Sequence, residues 1–248
     1  MENNDLQPFQ TVEPDDENAR PTFLESLRLP AYFTLFIWLI HVGKRAVGLD
    51  FYWWGIYPRE AIGLRGIFFA PLLHENWEHL ASNTVPFLVS SVIVVYFFPR
   101  VALRAFWLIY FISGLCVWIF ARTEAFVIGL SYVVYGLVSF ILFSGIFRRS
   151  VRSIVLALII VTLYSGMFEG VLPTPEILKK HISWEAHLIG AIVGALMAYF
   201  YKHELEEDEI HHPSVSDADK RPFFDADTFD KTREQRRREY EEDRKSVV

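Results

Sequence analysis

The sequence lacks most of the features that define small secreted, fibrous and nucleic-acid-binding proteins. It has one cysteine, Cys116, in 248 residues, so no disulfide can form within the chain. A single cysteine is compatible with an oxidising or a reducing compartment. Its composition excludes a disulfide scaffold, a collagen-like chain and a coiled coil. The net charge is −6 and no basic stripe carries interleaved aromatic residues, which argues against nucleic-acid binding.

Charged residues are scarce in the middle of the chain. Residues 1–28 hold 7 acidic and 2 basic side chains, and residues 202–248 hold 15 and 10. The 173 residues between them hold only 8 and 12. We therefore predict a disordered acidic tail (1–28), an apolar domain (29–201) and a charged C-terminal tail (202–248). The first tail has no apolar run, so we expect no cleavable signal peptide.

Six apolar segments make up the central domain. The first begins near residue 31, and the others span about 76–98, 101–121, 131–147, 153–171 and 184–201. Most have the roughly 17–25 residues that cross a bilayer as a helix. They are apolar nearly all round, whereas a soluble helix is apolar on one stripe. We therefore predict an all-α, polytopic membrane protein with six transmembrane helices.

Basic residues set the predicted orientation. The short turns at 98–100 and 148–152 are basic, so both should be cytoplasmic, and both chain termini then lie in the cytoplasm. The long loop at about 50–73 lies outside, and its many aromatic rings indicate either partial embedding in the interface or a plain aromatic belt. Lys44 and Arg45 fall at the outer end of segment 1, so we expect them to snorkel or to contact the following loop.

Polar residues cluster at the outer ends of segments 2, 4 and 6, where ionisable groups inside a bilayer cost roughly a few kcal/mol each. In segment 2, His79 and Asn83 are four residues apart and share one helix face, with His74 about a turn further out. Polar groups at a helix mouth also simply meet lipid headgroups, and this interpretation is strongest for His74.

The other two clusters combine small and reactive side chains. In segment 4, Ser131 and Tyr135 share a face, and Gly129 two residues before the serine indicates a tight backbone approach. The cluster in segment 6 lies on one helical stripe and consists of His187, Gly190 and Gly194. The two glycines form a seam that lets another helix come close to the histidine.

Together the clusters supply the groups of a nucleophilic site. A serine needs a neighbouring base, and His187 is placed to take the Ser131 proton and return it to a leaving amine. His79, Asn83 and the Ser131 backbone N–H are candidate donors to an oxyanion. No acidic residue is placed to orient His187, so we predict a dyad in which Tyr135 stacks on the imidazole.

The combined pattern resembles the rhomboid family of intramembrane serine proteases over about residues 31–201. The resemblance rests on His74-x4-His79-x3-Asn83, Gly129-x-Ser131 and Ala186-His187-x2-Gly190-x3-Gly194. It implies a six-helix bundle with segment 4 short and central, Ser131 as nucleophile and His187 as general base. It also implies an oxyanion hole and a stacked ring, formed by His79, Asn83, the Ser131 N–H and Tyr135.

The resemblance extends to the long loop and to the substrate. It implies that His74 braces the loop, and that Arg65 corresponds to the arginine of a Trp-Arg motif in which Leu64 replaces the tryptophan. The implied substrates are membrane proteins cut in or near a transmembrane segment, often after a small residue. We predict that the protein needs no metal or cofactor, and the bare six-helix core is the commoner bacterial pattern, which indicates the inner membrane.

One departure from the family pattern supports an alternative. The family motif is Gly-x-Ser-Gly, whereas Tyr132 follows Ser131 here, and a tyrosine ring at this place is expected to shift the serine or to narrow the water path. The alternative function is therefore a catalytically weak or inactive rhomboid-like protein that binds membrane clients. Inactive relatives usually lose the serine or the histidine, and this chain keeps both.

A transporter or metal site built from the histidines is the third hypothesis. His74 and His79 are five residues apart and share a helix face poorly, and no carboxylate or cysteine completes a ligand set at the same depth. The middle of the membrane also lacks the buried acids and paired charges of a proton pathway. We rank this hypothesis last.

Overall fold

The computed structural model describes residues 21–122, 125–148, 169–174 and 183–204, with isolated positions between 154 and 162 and between 232 and 237. Its five long helices are α1 (Phe23–Val47), α2 (Trp77–Phe97), α3 (Ala102–Phe120), α4 (Ser131–Arg148) and α5 (Trp184–Phe200). They correspond to segments 1–4 and 6, while most of segment 5 lies outside the described residues. The first four are long and apolar enough to cross a membrane, and α5 is apolar but shorter.

Helix α1 begins earlier than the apolar run at residue 31 suggests. The Thr22 side chain accepts a hydrogen bond from the Glu25 N–H, and the Glu25 carboxylate accepts one from the Thr22 N–H, which is a capping box. Residues 23–28, assigned to the tail from the sequence, are therefore helical. The helix ends at Gly48, whose φ of 69° is the left-handed conformation that favours glycine at a helix end.

The long loop folds into short turns before α2 begins. These turns are Tyr52–Trp54, Ala61–Arg65, Gly66–Phe69 and Ala70–Leu72. Ile56 pairs with Val127 in an isolated antiparallel bridge, and the Arg59 guanidinium donates to the carbonyls of Ile119 (3.2 Å) and Ala121 (2.6 Å). The loop is thereby fastened to the end of α3 and to the chain that leads into α4.

The basic pair at the end of α1 contacts the chain that leads into α2. Lys44 Nζ donates to the His74 carbonyl at 2.7 Å, and Arg45 Nη2 donates to the Glu75 carbonyl at 3.1 Å. Of the two expectations for these residues, contact with the loop is the one found. The pair joins the end of α1 to the start of α2.

Helix α4 lies at the centre of the bundle and packs closely on α5. A Cβ atom added to Gly190 would collide with the Tyr132 carbonyl, and one added to Gly194 would collide with the Gly136 carbonyl. The two backbones therefore touch without intervening side chains. Ser139 Oγ also donates across this contact to the Ala191 carbonyl at 2.6 Å.

The far end of the bundle is fixed by two arginines. Arg148, the last residue of α4, donates through Nη2 to the Tyr201 carbonyl at 3.1 Å. Arg104, in the first turn of α3, pairs with Glu204 at 2.6 Å. A separate unit, Glu207–Val248, contains few described positions; in it the Gln235 N–H donates to Thr232 Oγ1 at 3.4 Å.

Candidate active site

Ser131 and His187 meet where α4 and α5 begin. Ser131 Oγ lies 2.9 Å from His187 Nε2, and His187 Nδ1 lies 2.9 Å from the Gly170 carbonyl oxygen. A carbonyl oxygen only accepts hydrogen bonds, so Nδ1 carries the proton. Nε2 is then the unprotonated nitrogen and accepts the hydrogen bond from the serine hydroxyl. The imidazole is thus held in the tautomer that a general base requires.

The Gly170 carbonyl is the part of the site that the sequence did not reveal. It belongs to a single helical turn, Glu169–Val171, ahead of α5. A Cβ at Gly170 would collide with the Tyr135 hydroxyl and would lie 3.2 Å from His187 Nδ1. Glycine therefore lets the backbone approach the histidine. A backbone carbonyl leaves no side-chain signature in the sequence, although a glycine ahead of segment 6 was a weak signal.

Tyr135 covers the imidazole from the α4 side. Its ring is stacked on His187 with centroids 4.3 Å apart and planes inclined by 14°. The two rings meet because Tyr135 lies one helical turn after Ser131, on the same face of α4. Stacking limits rotation of the imidazole, and the hydrogen bond to Gly170 fixes its angle within the plane.

Gly129 brings the chain entering α4 against α2. Its φ is +110°, and a Cβ there would lie 2.6 Å from His79 Cε1 and 2.7 Å from His79 Nε2. The His79 ring therefore rests on the backbone two residues before Ser131. The Gly129 N–H donates to the Ala70 carbonyl at 2.8 Å, so the long loop supports the same stretch of chain.

The two predicted oxyanion donors of α2 are linked to each other. Asn83 is 7% exposed and donates through Nδ2 to the His79 carbonyl at 3.0 Å. Asn76 caps α2 by accepting from the His79 N–H at 2.8 Å. One of the two N–H groups of the Asn83 amide is thus used within α2, which fixes where the side chain points.

His74 lies inside the protein, which overturns the interpretation that it meets lipid headgroups. It is 1% exposed, and its ring meets the edge of His79 with centroids 5.1 Å apart. Burial, together with the neighbouring His79, His41 and Lys44, lowers the pKa of His74 to about 3. The side chain is therefore neutral at physiological pH.

Arg65 contacts tryptophans of the long loop, although Leu64 stands before it. Its Nη2 donates to the Trp53 carbonyl at 2.6 Å, and its guanidinium lies 4.9 Å from the centre of the Trp54 ring. The arginine–tryptophan contact that the family motif suggests is thus supplied by a residue eleven positions earlier in the chain.

Tyr132 is fully buried, at 0% exposure. Its carbonyl faces Gly190 at the contact of α4 with α5. The expected shift of Ser131 away from its partner is not observed, because the contact with His187 stays at 2.9 Å. Because residue 190 is a glycine, no side chain of α5 occupies the space next to the Tyr132 backbone.

Within the described part of the chain, no group of three or more His, Cys, Asp or Glu side chains is placed to hold a metal ion. His74 and His79 touch edge to edge, but no third ligand of these types joins them there. The chemistry that the described site offers is that of a serine hydroxyl and an imidazole.

The sequence profile of the Rhomboid domain matches residues 62–204, more than half of the chain. The chain belongs to the rhomboid family. This rhomboid is similar to uncharacterized proteins of Mycobacterium bovis and Mycobacterium tuberculosis, each 34% identical over 152 residues that cover 58% of the chain and 62% of the relative. An uncharacterized protein of Mycobacterium leprae is 33% identical over 148 residues, 55% of each chain. The rhomboid thus spans about three fifths of the length of these relatives.

Family membership and the four long apolar helices make this rhomboid an integral membrane protein. Its matched relatives are mycobacterial proteins, in keeping with a bacterial member of the family.

Proposed function

We propose that this rhomboid is an intramembrane serine endopeptidase that cuts transmembrane segments of membrane proteins. The observation that carries the proposal is the 2.9 Å contact of Ser131 Oγ with His187 Nε2, made while Nδ1 is bound to the Gly170 carbonyl. A hydroxyl hydrogen-bonded to an oriented imidazole is the arrangement that activates a serine.

The first half of the reaction forms an acyl-enzyme. Ser131 Oγ attacks the carbonyl carbon of the scissile peptide bond while its proton passes to His187 Nε2. The resulting imidazolium keeps its Nδ1–H on the Gly170 carbonyl, which favours the charged form. When the tetrahedral intermediate collapses, the C–N bond breaks and Nε2 returns the proton to the departing amine.

The oxyanion of the intermediate requires hydrogen-bond donors at the start of α4. The Leu130 carbonyl accepts the first hydrogen bonds of this helix, from the N–H groups of Val133 and Val134, so Ser131 is its first residue. The first N–H groups of a helix have no partner within it, and they carry the positive end of the helix dipole. We assign the Ser131 N–H, the His79 ring and the Asn83 amide as the donors.

The second half of the reaction releases the acyl group. His187 Nε2 takes a proton from a water molecule, which attacks the ester carbon and frees Ser131 Oγ, to which the proton returns. Tyr135 and the Gly170 carbonyl hold the imidazole in place through both halves. We assign no metal or cofactor to either half.

The same proposal covers the membrane topology. We take the six transmembrane segments from the six apolar runs. The basic turns at 98–100 and 148–152 support cytoplasmic termini and a site near the outer face. The substrates are then transmembrane proteins of the bacterial inner membrane, which reach Ser131 from the surrounding bilayer.

The alternative, a client-binding protein without activity, rests on Tyr132. It is supported less than the sequence suggested, because Tyr132 lies in the core and the Ser131–His187 contact has the length of an ordinary hydrogen bond.

The proposal is tested by reconstituting the protein with a transmembrane reporter and following cleavage. Wild type is expected to cut the reporter, and Ser131→Ala to lower the rate by about a thousandfold or more. His187→Ala should cause a loss of similar size, because the two groups act as one unit. Cleavage that persists in Ser131→Ala would contradict the proposal.

Ser139→Ala is the matched control on the same helix. It removes a buried hydroxyl that bonds the Ala191 carbonyl at 2.6 Å, so it is expected to lower stability by about 1 kcal/mol. Cleavage by this variant should stay near the wild-type rate, because Ser139 lies two turns from the site. A loss equal to that of Ser131→Ala would show that the assay reports helix packing.

A further inference from the structure

An ion pair joins the chain that leads into α4 to the start of α5. Arg122 Nε donates to Glu185 Oε1, and Arg122 Nη2 lies 3.4 Å from Glu185 Oε2. Two guanidinium nitrogens thus face two carboxylate oxygens, the fork geometry that gives this pair its directional strength.

The two residues lie beside the two halves of the reactive pair. Arg122 follows the end of α3 and precedes Ser131 by nine residues, and Glu185 precedes His187 by two residues in the first turn of α5. Through Arg59, which donates to the Ala121 carbonyl at 2.6 Å, the long loop is fastened to the same point. Three stretches of chain therefore converge next to the dyad.

The start of α5 has no side-chain cap, a feature it shares with the start of α3 at Val101, so its order rests on contacts such as this ion pair. Ser183 occupies the N-cap position of α5 but its side chain makes no capping hydrogen bond, whereas Thr22 and Asn76 cap α1 and α2. An uncapped first turn frays readily. The turn that frays here would be the one that carries His187.

The environment of Glu185 strengthens the contact. Its side chain is 14% exposed, against 47% for Arg122. An ion pair with one partner largely withdrawn from solvent is less screened than a pair on the open surface. The carboxylate also lies in the first turn of α5, where the helix dipole favours negative charge.

We propose that Arg122 and Glu185 are positioning residues that hold the first turn of α5, and with it His187, in register with Ser131. The role rests on the proposed protease function, because it concerns the geometry of the same dyad. The pair touches neither the substrate nor the reacting atoms; it acts on His187 through the helix backbone.

The chain contains its own control for this proposal. Arg104 and Glu204 form a second arginine–glutamate pair, at 2.6 Å, between the first turn of α3 and the residues after α5. It links the same two helices at their other ends, far from Ser131. Breaking it tests whether the loss of any such link disturbs the site.

The experiment compares Glu185→Gln with Glu204→Gln in the full-length protein. The first readout is the second-order rate of labelling by a small fluorophosphonate, which needs the activated serine but no transmembrane substrate. We expect Glu185→Gln to slow labelling by about tenfold, since small misplacements of reacting groups have effects of this size or larger, and Glu204→Gln to leave it unchanged. Equal rates in both variants, whether slowed or not, would overturn the proposal.

Charge reversal supplies the rescue. The double variant R122E/E185R restores the pair with the charges exchanged. It should recover part of the labelling rate lost in R122E or E185R alone, because the arginine at position 185 then opposes the helix dipole. No recovery would overturn the proposal, because it would show that the side chains act separately.

A second readout separates this proposal from the protease assignment. The ¹⁵N signals of the His187 ring, identified by their loss in His187→Ala, report the hydrogen bond from Nδ1 whether or not the protein is active. They should shift in Glu185→Gln and stay in place in Glu204→Gln. If the probe does not label the wild type but the His187 signals shift in Glu185→Gln, the protease function is refuted and the positioning role stands. If the probe labels the wild type but the signals do not shift in Glu185→Gln, the positioning role is refuted and the protease function stands.

Discussion

Helices α4 and α5 are packed backbone to backbone, whereas α1 and α2 meet through side chains. At the first contact Gly190 and Gly194 lie on the backbone of α4. At the second, Phe33 lies 5.4 Å from Phe87 by ring centroids, and Trp38 Nε1 donates to Thr84 Oγ1 at 3.0 Å. In the most apolar 18-residue stretch of each helix, 56% of the residues are buried in α4 and 17% in α1.

The closer packing of α4 on α5 is what the proposed function requires of that contact. A reacting pair must be held to within about 0.5 Å, and glycine backbones in contact have no rotamers through which to move. The proposed dyad of Ser131 and His187 lies at this contact, with one residue on each helix. The contact of α1 with α2 carries His74 and the Lys44 bond to its carbonyl.

The comparison is tested most strongly by removing one tyrosine from each region. Tyr132→Gly empties a fully buried site and is expected to lower the free energy of unfolding by about 3–5 kcal/mol. Tyr32 on α1 is 67% exposed, so Tyr32→Gly should lower it only by the helix propensity of glycine, about 1 kcal/mol. Denaturant unfolding in micelles measures both, and equal losses would contradict the comparison.

Tyr132→Gly also tests the alternative function, since it restores the glycine of the family motif. We expect cleavage of the reporter to fall with stability in this variant. Activity that rises above wild type would instead favour a chain in which Tyr132 suppresses catalysis.

Adding a methyl group to one glycine in each region gives the next largest contrast. In Gly194→Ala the new Cβ collides with the Gly136 backbone, and overpacking of this kind lowers stability by about 1–3 kcal/mol. At Gly43 in α1 no described heavy atom lies within 4 Å of the new Cβ. Gly43→Ala should therefore raise stability by up to about 1 kcal/mol. Thermal unfolding compares the two, and a loss of stability in Gly43→Ala would show that α1 is packed more closely than described.

Low pH is expected to destabilise the contact of α1 with α2, because His74 lies there. The pKa of His74 falls from 6.5 to about 3 in the folded protein, so the unfolded chain binds the proton more readily below pH 6.5. The stability that the neutral ring contributes is complete above that pH and is lost as the pH falls towards 3. Between pH 7 and pH 5 the loss is about 2 kcal/mol.

Denaturant unfolding at a series of pH values measures this loss, and hydrogen exchange locates it. His74→Gln is expected to flatten the pH dependence of the unfolding free energy by the same amount. Amides of α1 should lose protection before those of α4. If the unfolding free energy of His74→Gln falls with pH as steeply as that of the wild type, a group other than His74 causes the pH dependence.

The sequence predicted the helices well because their signal is local. Four apolar segments became helices within one or two residues of their predicted bounds, since uninterrupted apolar runs leave little choice of structure. The early start of α1 was missed although the signal was present: Thr22 and Glu25 have the spacing of a capping box. The hydropathy pattern alone pointed to residue 31.

The parts of the site that escaped prediction depend on contacts across the fold. The Gly170 carbonyl is a backbone group, so no side chain in the sequence marks it as the partner of His187. Arg122 and Glu185 are sixty-three residues apart, and each alone reads as a solvated charge at a helix end. Arg65 shows the same point, because its aromatic partner is Trp54 and not the neighbouring Leu64. A stacking partner can come from any part of the loop that folds back onto the arginine.

Labelling with a fluorophosphonate probe, followed by mass spectrometry of the modified peptide, tests the central claim most directly. The hydrogen bond between Ser131 and His187 predicts one adduct, on Ser131, which is lost in Ser131→Ala and in His187→Ala and kept in Ser139→Ala. A wild-type protein that stays unlabelled, or an adduct that survives in Ser131→Ala, would contradict it.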